Sequence, residues 1–240
     1  MTAATSAADE KKAPPRRQDR PLVLVLCGPP ASGKGTQAQL LSQRLDAPTV
    51  STGRLIRQQQ RLGTDIGQLA DEHLGRGGLL PDEPTQQLLG EWLDQGHQRM
   101  ILDGFPRNIT QARWLDQALQ ARGLQLDAVV WLQVPEQVLI ERTRCRWTCF
   151  ACGHSAIGPA SNQHPPACER CGAAMERRRD DDPDMLAQRL QAWNSVADEL
   201  RSYYQNQGRL LPLQARGEAL AAHHDLMAQL ELLRDGRSTD

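Results

Sequence analysis

Two stretches of this 240-residue chain combine residue types and spacings that do chemistry. The first, GPPASGKGT (28–36), follows six apolar residues, LVLVLC (22–27). A strand running into a glycine-rich turn and then a helix leaves backbone N–H groups unpaired and converging. With the positive end of the helix dipole they hold phosphate. Gly28, Pro29, Pro30, Ala31, Ser32, Gly33 and Gly35 form this cradle, and Lys34 reaches the terminal phosphates. The hydroxyl that binds Mg2+ comes one place later than the usual pattern, at Thr36, with Gly35 in between. The 28 basic residues are 25 Arg and only three Lys (Lys11, Lys12 and Lys34). A slim ammonium threads between backbone amides where a forked guanidinium is too wide.

The second stretch is a pair of C-x2-C motifs, Cys149/Cys152 in CFACG and Cys168/Cys171 in CERCG, with fifteen residues between them. Four thiolates at this spacing suit tetrahedral Zn2+. The alternatives are disulfides, disfavoured in a reducing compartment, and redox-active thiols. A four-sulfur site has no open position, so zinc there is expected to be structural. His154 and His164 are read as exposed bystanders, and Cys27, at a strand end, as a buried apolar residue.

These groups need a scaffold. Short apolar runs occur at 22–27, 100–103, 128–134 and 209–213, with a weaker one at 48–50. Helical patterns lie at 34–44, 83–95, 110–121, 135–146, 184–206 and 217–233, where Leu226, Leu230 and Leu233 share a face. The alternation implies an α/β fold, a parallel sheet with helices on both faces. Residues 147–183, rich in Cys, Pro, Gly and charge, break the rhythm as an insertion with its own means of staying folded. A hydrophobic content of 39% and a net charge of −1 suit a globular protein and suggest neither a nucleic-acid nor a membrane surface. Residues 1–20 read as a disordered polar tail without the apolar segment of a secretory signal, and no apolar run approaches the ~18–20 residues that span a bilayer. A cytoplasmic location is expected.

GPPASGKGTQ resembles the phosphate loop of the adenylate kinase family, in which Gly and then Thr follow the lysine. Three further stretches resemble that family in the same order. VSTGRLIR (50–57) is similar to its monophosphate-binding segment, which implies Thr52 near the acceptor base and Arg57 on its phosphate. GLLPDEP (78–84) matches the segment whose backbone, around Leu80, lines that base. In ILDGFPRNITQ (101–111), Asp103 at a strand end can hold waters of Mg2+, and Gly104 permits close approach. Arg107 can grip phosphate bidentately, and Gln111 can hydrogen-bond a purine edge. ERTRCR (141–146) and RRRDDDPDMLAQRL (177–190) resemble the segments on either side of the family's lid. They place Arg142, Arg146, Arg178 and Arg189 on phosphate-binding positions and Asp180 and Asp181 on an acidic pair; Arg144, Arg177 and Arg179 match no role.

The resemblance spans about residues 21–213 and implies a phosphate-loop kinase core with a five-stranded parallel sheet. In that scheme residues 21–50, 82–146 and 184–236 form the core, 51–81 bind the monophosphate, and 147–183 form a zinc lid. It implies MgATP + AMP ⇌ 2 ADP, with ATP on residues 28–36, Arg142 and Arg146, and AMP on Thr52, Arg57, Leu80, Gly104, Arg107, Gln111, Arg178 and Arg189. Mg2+ would sit on Thr36 and, through water, Asp103. A monomer without nucleic-acid or membrane partners is expected. The chain departs from the family at Ala31 (usually Gly), Arg54 (often Asp), Asn108 (Thr) and Cys145 (Gly). Ala31 requires that its backbone avoid positive φ or accept the strain. The charge reversal at Arg54 bears on metal dependence or acceptor affinity. A kinase for UMP or CMP, a weakly catalytic nucleotide-binding regulator and a zinc-ribbon interaction module are the rival readings. The ribbon's few aromatics and lack of lysine weigh against the last.

Overall fold

The computed structural model describes residues 20–74, 78, 80–158, 165–178 and 181–236. Most of the N-terminal tail, His164, Arg179 and Asp180 lie outside the described residues. In chain order the elements are β1 (Leu22–Cys27), α1 (Lys34–Leu45), β2 (Thr49–Ser51), α2 (Thr52–Leu62), α3 (Asp65–Leu74) and α4 (Asp82–Leu93). They continue with β3 (Arg99–Asp103), α5 (Ile109–Gln120), β4 (Ala128–Gln133), α6 (Glu136–Arg144), β5 (Arg146–Thr148) and β6 (Ser155–Ile157). The last three are α7 (Pro183–Asn206), β7 (Leu210–Gln214) and α8 (Ala219–Gly236). The expected strands and the long helices are present, with ends shifted by up to three residues. One difference touches the site. The helix expected over 135–146 stops at Arg144, and Arg146–Thr148 instead pairs antiparallel with Ser155–Ile157. Arg146 therefore stands on a strand that begins the cysteine-rich insertion.

Five strands form one parallel sheet in the order β2-β3-β1-β4-β7. β1 is buried along its whole length, as its unbroken apolar run requires when helices cover both faces. Alternate residues go to opposite sides. Val23, Val25 and Cys27 join a core with Leu102, Leu115 and Tyr204. Leu24 and Leu26 join one with Leu41, Val130 and Leu226. Of the three leucines expected to share a face of α8, Leu226 and Leu230 are in this core and Leu233 packs against it. The chain leaves β1 in both directions, to β3 and to β4, so the crevice of this order opens at the carboxyl end of β1, where Gly28 begins.

Two of the smaller cores among the described residues bear on the site. Ile56, Ala70, Leu80 and Leu88 join α2, α3 and α4 beside the crevice. Trp147, Cys149, Cys168 and Met175 form the other, in the insertion. No helix among the described residues is long and apolar enough to cross a membrane.

Candidate active site and metal centre

The turn after β1 passes through Gly28 (φ 156°), Ala31 (φ 61°) and Gly33 (φ 96°) before α1 begins. A Cβ at Gly28 would stand 2.9 Å from Ser32 Oγ and 3.0 Å from both the Cβ and the backbone oxygen of Leu132, so only glycine lets the loop lie against β4. No side chain caps α1, so the N–H groups of its first turn are left for a ligand. Ala31 does not avoid the left-handed region; it sits in it, at a strain of about 1–2 kcal/mol. Its methyl packs against the cluster of Leu139, Leu186 and Leu190. Ala31→Gly is therefore expected to raise stability by about 0.5 kcal/mol in urea denaturation, strain relief outweighing the entropy of a freer unfolded chain. An unchanged midpoint would mean that the methyl contact offsets the strain.

Lys34 Nζ donates to the carbonyls of Gly28 at 2.8 Å and Pro29 at 2.7 Å, tying the loop around its own ammonium. Burial pushes its pKa down to about 8; Arg107 and Arg189 act in the same direction and Asp103 opposes them. Asp103 reaches this point through the sheet register, which pairs it with Leu26. Its Oδ2 lies 3.7 Å from where a Cβ on Gly35 would be. A side chain at 35 would fill the gap between carboxylate and helix start, so glycine there leaves room for a hydrated cation.

On the other side of the crevice a chain of hydrogen bonds joins the start of α2, the turn after β3, the start of α5 and α4. Thr52 Oγ1 and Arg107 Nε both donate to the Gly104 carbonyl, at 3.0 and 2.9 Å. Gln111 Oε1 accepts from the backbone N–H of Arg107 at 2.8 Å, and Gln111 Nε2 donates to Asp82 at 2.7 Å. Asn108 caps α5 by accepting from Gln111 N–H and donates from Nδ2 to Asp82. The departure from threonine at 108 thus keeps a helix cap and adds an amide donor. Gln111, expected to face a purine, is instead 2% exposed with both ends of its amide engaged.

A single cavity of about 690 Å3 brings together the phosphate loop, Asp103, Gly104, Arg57 and Arg107, and the arginines flanking the insertion, Arg142, Arg146, Arg178 and Arg189. Thr52, Leu80 and Gln111 do not line it and are buried. Arg142 donates to Ser32 O at 3.2 Å, Ala215 O at 2.8 Å and Gly217 O at 3.2 Å, bridging the loop to the turn after β7. Arg146 forms a two-pronged ion pair with Asp181, one prong at 2.7 Å. The sequence reading missed the turn itself: Ala215, Gly217, Glu218 and Ala219 line the same cavity. The polar QARGE between a strand and a helix was the available signal. It missed Asp82 as well. Arg177, without a matched role, lies 5.0 Å over the Trp147 ring and donates to Thr143 and Arg144 carbonyls, pinning the far side of the insertion to the end of α6.

The four cysteine sulfurs lie within 4.8 Å of one another, Cys149 and Cys171 at 3.4 Å and Cys152 and Cys168 at 3.5 Å. Bonds of ~2.3 Å to a tetrahedral zinc put sulfurs about 3.8 Å apart, so the donor set fits. The backbone N–H of Cys152 pulls the Cys149 thiol down to about 7. The two glycines that follow the pairs, Gly153 (φ 75°) and Gly172 (φ 73°), each donate back to the first cysteine of their pair at 2.8 Å. His154 is half-buried rather than exposed, and its carbonyl accepts from Cys149 N–H inside the turn. Its ring is not among the cluster's ligand groups. Cys27 is buried as expected, and burial pushes its thiol up to about 12.

A parallel sheet with a phosphate loop at its switch point, facing a ring of arginines, defines the phosphate-loop α/β class. Residues 26–209 match the family model for adenylate kinase. The chain is 36% identical over 213 residues to an adenylate kinase of Thermoanaerobacter sp. (strain X514), covering 86% of this chain and 97% of that protein. It is 41% identical over 192 residues to one from Moorella thermoacetica, covering 78% and 88%, and 37% identical over 202 residues to one from Anaeromyxobacter dehalogenans, covering 82% and 93%. The chain belongs to the adenylate kinase family.

Proposed function

We propose that this protein transfers a phosphoryl group reversibly from MgATP to AMP, giving two ADP, as a cytoplasmic monomer. The observation that carries the reading is the single cavity on which Lys34, Asp103 and eight arginines converge, from the phosphate loop to the Gly104 turn. The donor triphosphate lies on residues 28–36 with Lys34 on its terminal phosphates. Arg142 and Arg146 take its phosphates, and the 215–219 turn lies at the nucleoside end. The acceptor phosphate is held by Arg57 and Arg107, with Arg178 and Arg189 on the transferring group. Thr52, Leu80, Gly104 and Gln111 shape the acceptor base side; Gln111 keeps one oxygen lone pair and one N–H beyond its contacts with Arg107 and Asp82.

An acceptor phosphate oxygen forms a bond to the γ-phosphorus while the bond from that phosphorus to the β–γ bridging oxygen breaks. The acceptor phosphate is largely deprotonated at neutral pH, its second pKa being about 6, so no general base is needed. The arginines and Lys34 neutralise the charge spread over the transferring group. Thr36 and, through water, Asp103 would hold Mg2+, which would supply further charge neutralisation. Residues 51–81 act as the acceptor-binding part, 147–183 as a lid carrying structural zinc on Cys149, Cys152, Cys168 and Cys171, and 21–50, 82–146 and 184–236 as core. Closing the lid keeps out water that would hydrolyse ATP.

The test is ADP formation from MgATP with a panel of monophosphates. Transfer to AMP alone is the expected result. Transfer to UMP or CMP keeps the mechanism and changes the acceptor; no transfer to any, with MgATP still bound, overturns the reading in favour of a nucleotide-binding regulator.

A further inference from the structure

Helix α2 carries Arg54, Arg57 and Arg61, spaced by three and four residues and so aligned along one face. All three line the cavity. The guanidinium groups of the outer two meet the insertion at its first cysteine turn, while Arg61 Nε also donates to the Arg57 carbonyl of its own helix at 3.3 Å. Arg61 Nη1 donates to the Phe150 carbonyl at 2.8 Å, joining positions 89 residues apart. The guanidinium of Arg54 lies against Gly153: a Cβ there would stand 2.8 Å from Nη2, 2.9 Å from Cζ and 3.0 Å from Nε. Phe150 and Gly153 belong to one turn, closed by the Gly153 N–H donating to the Cys149 carbonyl at 2.8 Å.

Three like charges on one helix face repel one another, so their alignment needs a counterpart. The turn offers a carbonyl oxygen, a bare glycine surface on which a planar guanidinium can lie, and thiolates whose zinc complex carries net negative charge. An aspartate at 54, which the family often has, would bring negative charge to that same turn.

We infer that Arg54 and Arg61 latch the first cysteine turn of the lid onto α2, so that an acceptor phosphate held by Arg57 between them favours closure over the donor. Only the part played by Arg57 rests on the proposed reaction; the latch is a matter of conformation and is measured without turnover. Arg54 and Arg61 are positioning residues. Because coupling is reciprocal, AMP tightens the binding of a non-hydrolysable MgATP analogue by the factor by which the analogue tightens AMP.

The test uses the zinc-loaded full chain with unnatural amino-acid dyes at Glu72 and Glu169, both exposed, leaving the thiols untouched. Single-molecule energy transfer is expected to show a short-distance population that falls at least about threefold in Arg54→Ala/Arg61→Ala. Gly153→Ala is expected to act like the double variant, and Gly172→Ala to have no effect. Both glycines have the same positive φ, but nothing lies within 4 Å of a Cβ at Gly172. By calorimetry, AMP tightens the analogue about tenfold in the parent and about onefold in the double variant, within the usual range of coupling. Unchanged distances in the double variant, equal effects of the two glycine substitutions, or an unchanged coupling factor overturns the inference. A parent that binds no AMP, yet opens in the double variant, keeps the latch and overturns the proposed reaction.

Discussion

Lys34→Met lowers kcat for ADP formation by at least about 10²–10³-fold, the scale of removing one preorganised donor from a charge-stabilising site, while the ligand-free protein becomes more stable. The two effects have one cause. Burial brings the pKa of Lys34 to about 8 in a loop shaped for phosphate, with Arg107 and Arg189 acting in the same direction and Asp103 and Cys27 opposing them. A lysine pKa lowered on folding means that the charged form is disfavoured in the fold. That penalty is complete below pH 8, where both states carry the proton, and fades as pH rises from 8 toward the ordinary 10.5. Thermal melts of parent and variant should therefore differ most at pH 7 and converge by about pH 10. A variant that loses activity and is also less stable at pH 7 would show that the bonds from Lys34 to the Gly28 and Pro29 carbonyls hold the loop together.

Metal removal produces the second large effect. A chelator at neutral pH, or Cys149→Ser with Cys152→Ser, should unfold the lid and lower phosphoryl transfer by at least about 10²-fold, leaving the sheet folded. The reason is the small size of the lid core: Trp147, Met175 and two of the cysteines are its buried members, and β5 and β6 have three residues each. Such a core does not hold a segment of this length without a staple. Hydrogen exchange gives the direct readout: amides of Trp147–Ile157 should lose protection on metal removal, while those of β1 and β4 keep theirs. Protection in the lid that survives complete metal loss would remove zinc from the account of its stability.

What the sequence makes legible is what is local. The phosphate loop, the strand-end aspartate and the paired cysteines each lie within about ten residues, and their chemistry follows from type and spacing. The order of β1, β3 and β4 is not local, yet the apolar runs and the helices between them imply the parallel sheet. The rest depends on contacts across the chain. Arg142 bonds to Ala215 and Gly217 because β7 lies beside β4, a pairing that no nearby residue signals. Gln111 looks available in sequence and is engaged in the fold, because Asp82 at the start of α4 comes against it. The switch from helix to strand after Arg144 follows from the partner strand Ser155–Ile157, with an apolar Trp147 buried in between. In sequence Arg54 is a charge reversal that bears on metal dependence or acceptor affinity, and only the tertiary structure gives it a glycine to lie on.

The central place of β1 in the sheet has a consequence during synthesis. Its partners run from Arg99 to Asp103 and from Ala128 to Trp131, so the most apolar segment of the chain is made first and pairs late. At about 5–20 residues per second, a ribosome takes several seconds to supply the second neighbour. Through that interval LVLVLC is an uncharged, proline-free strand with both edges open, the kind of segment that pairs with other chains. Yield from rapid overexpression should depend on how well nascent chains are shielded, even though the finished sheet leaves β1 fully buried.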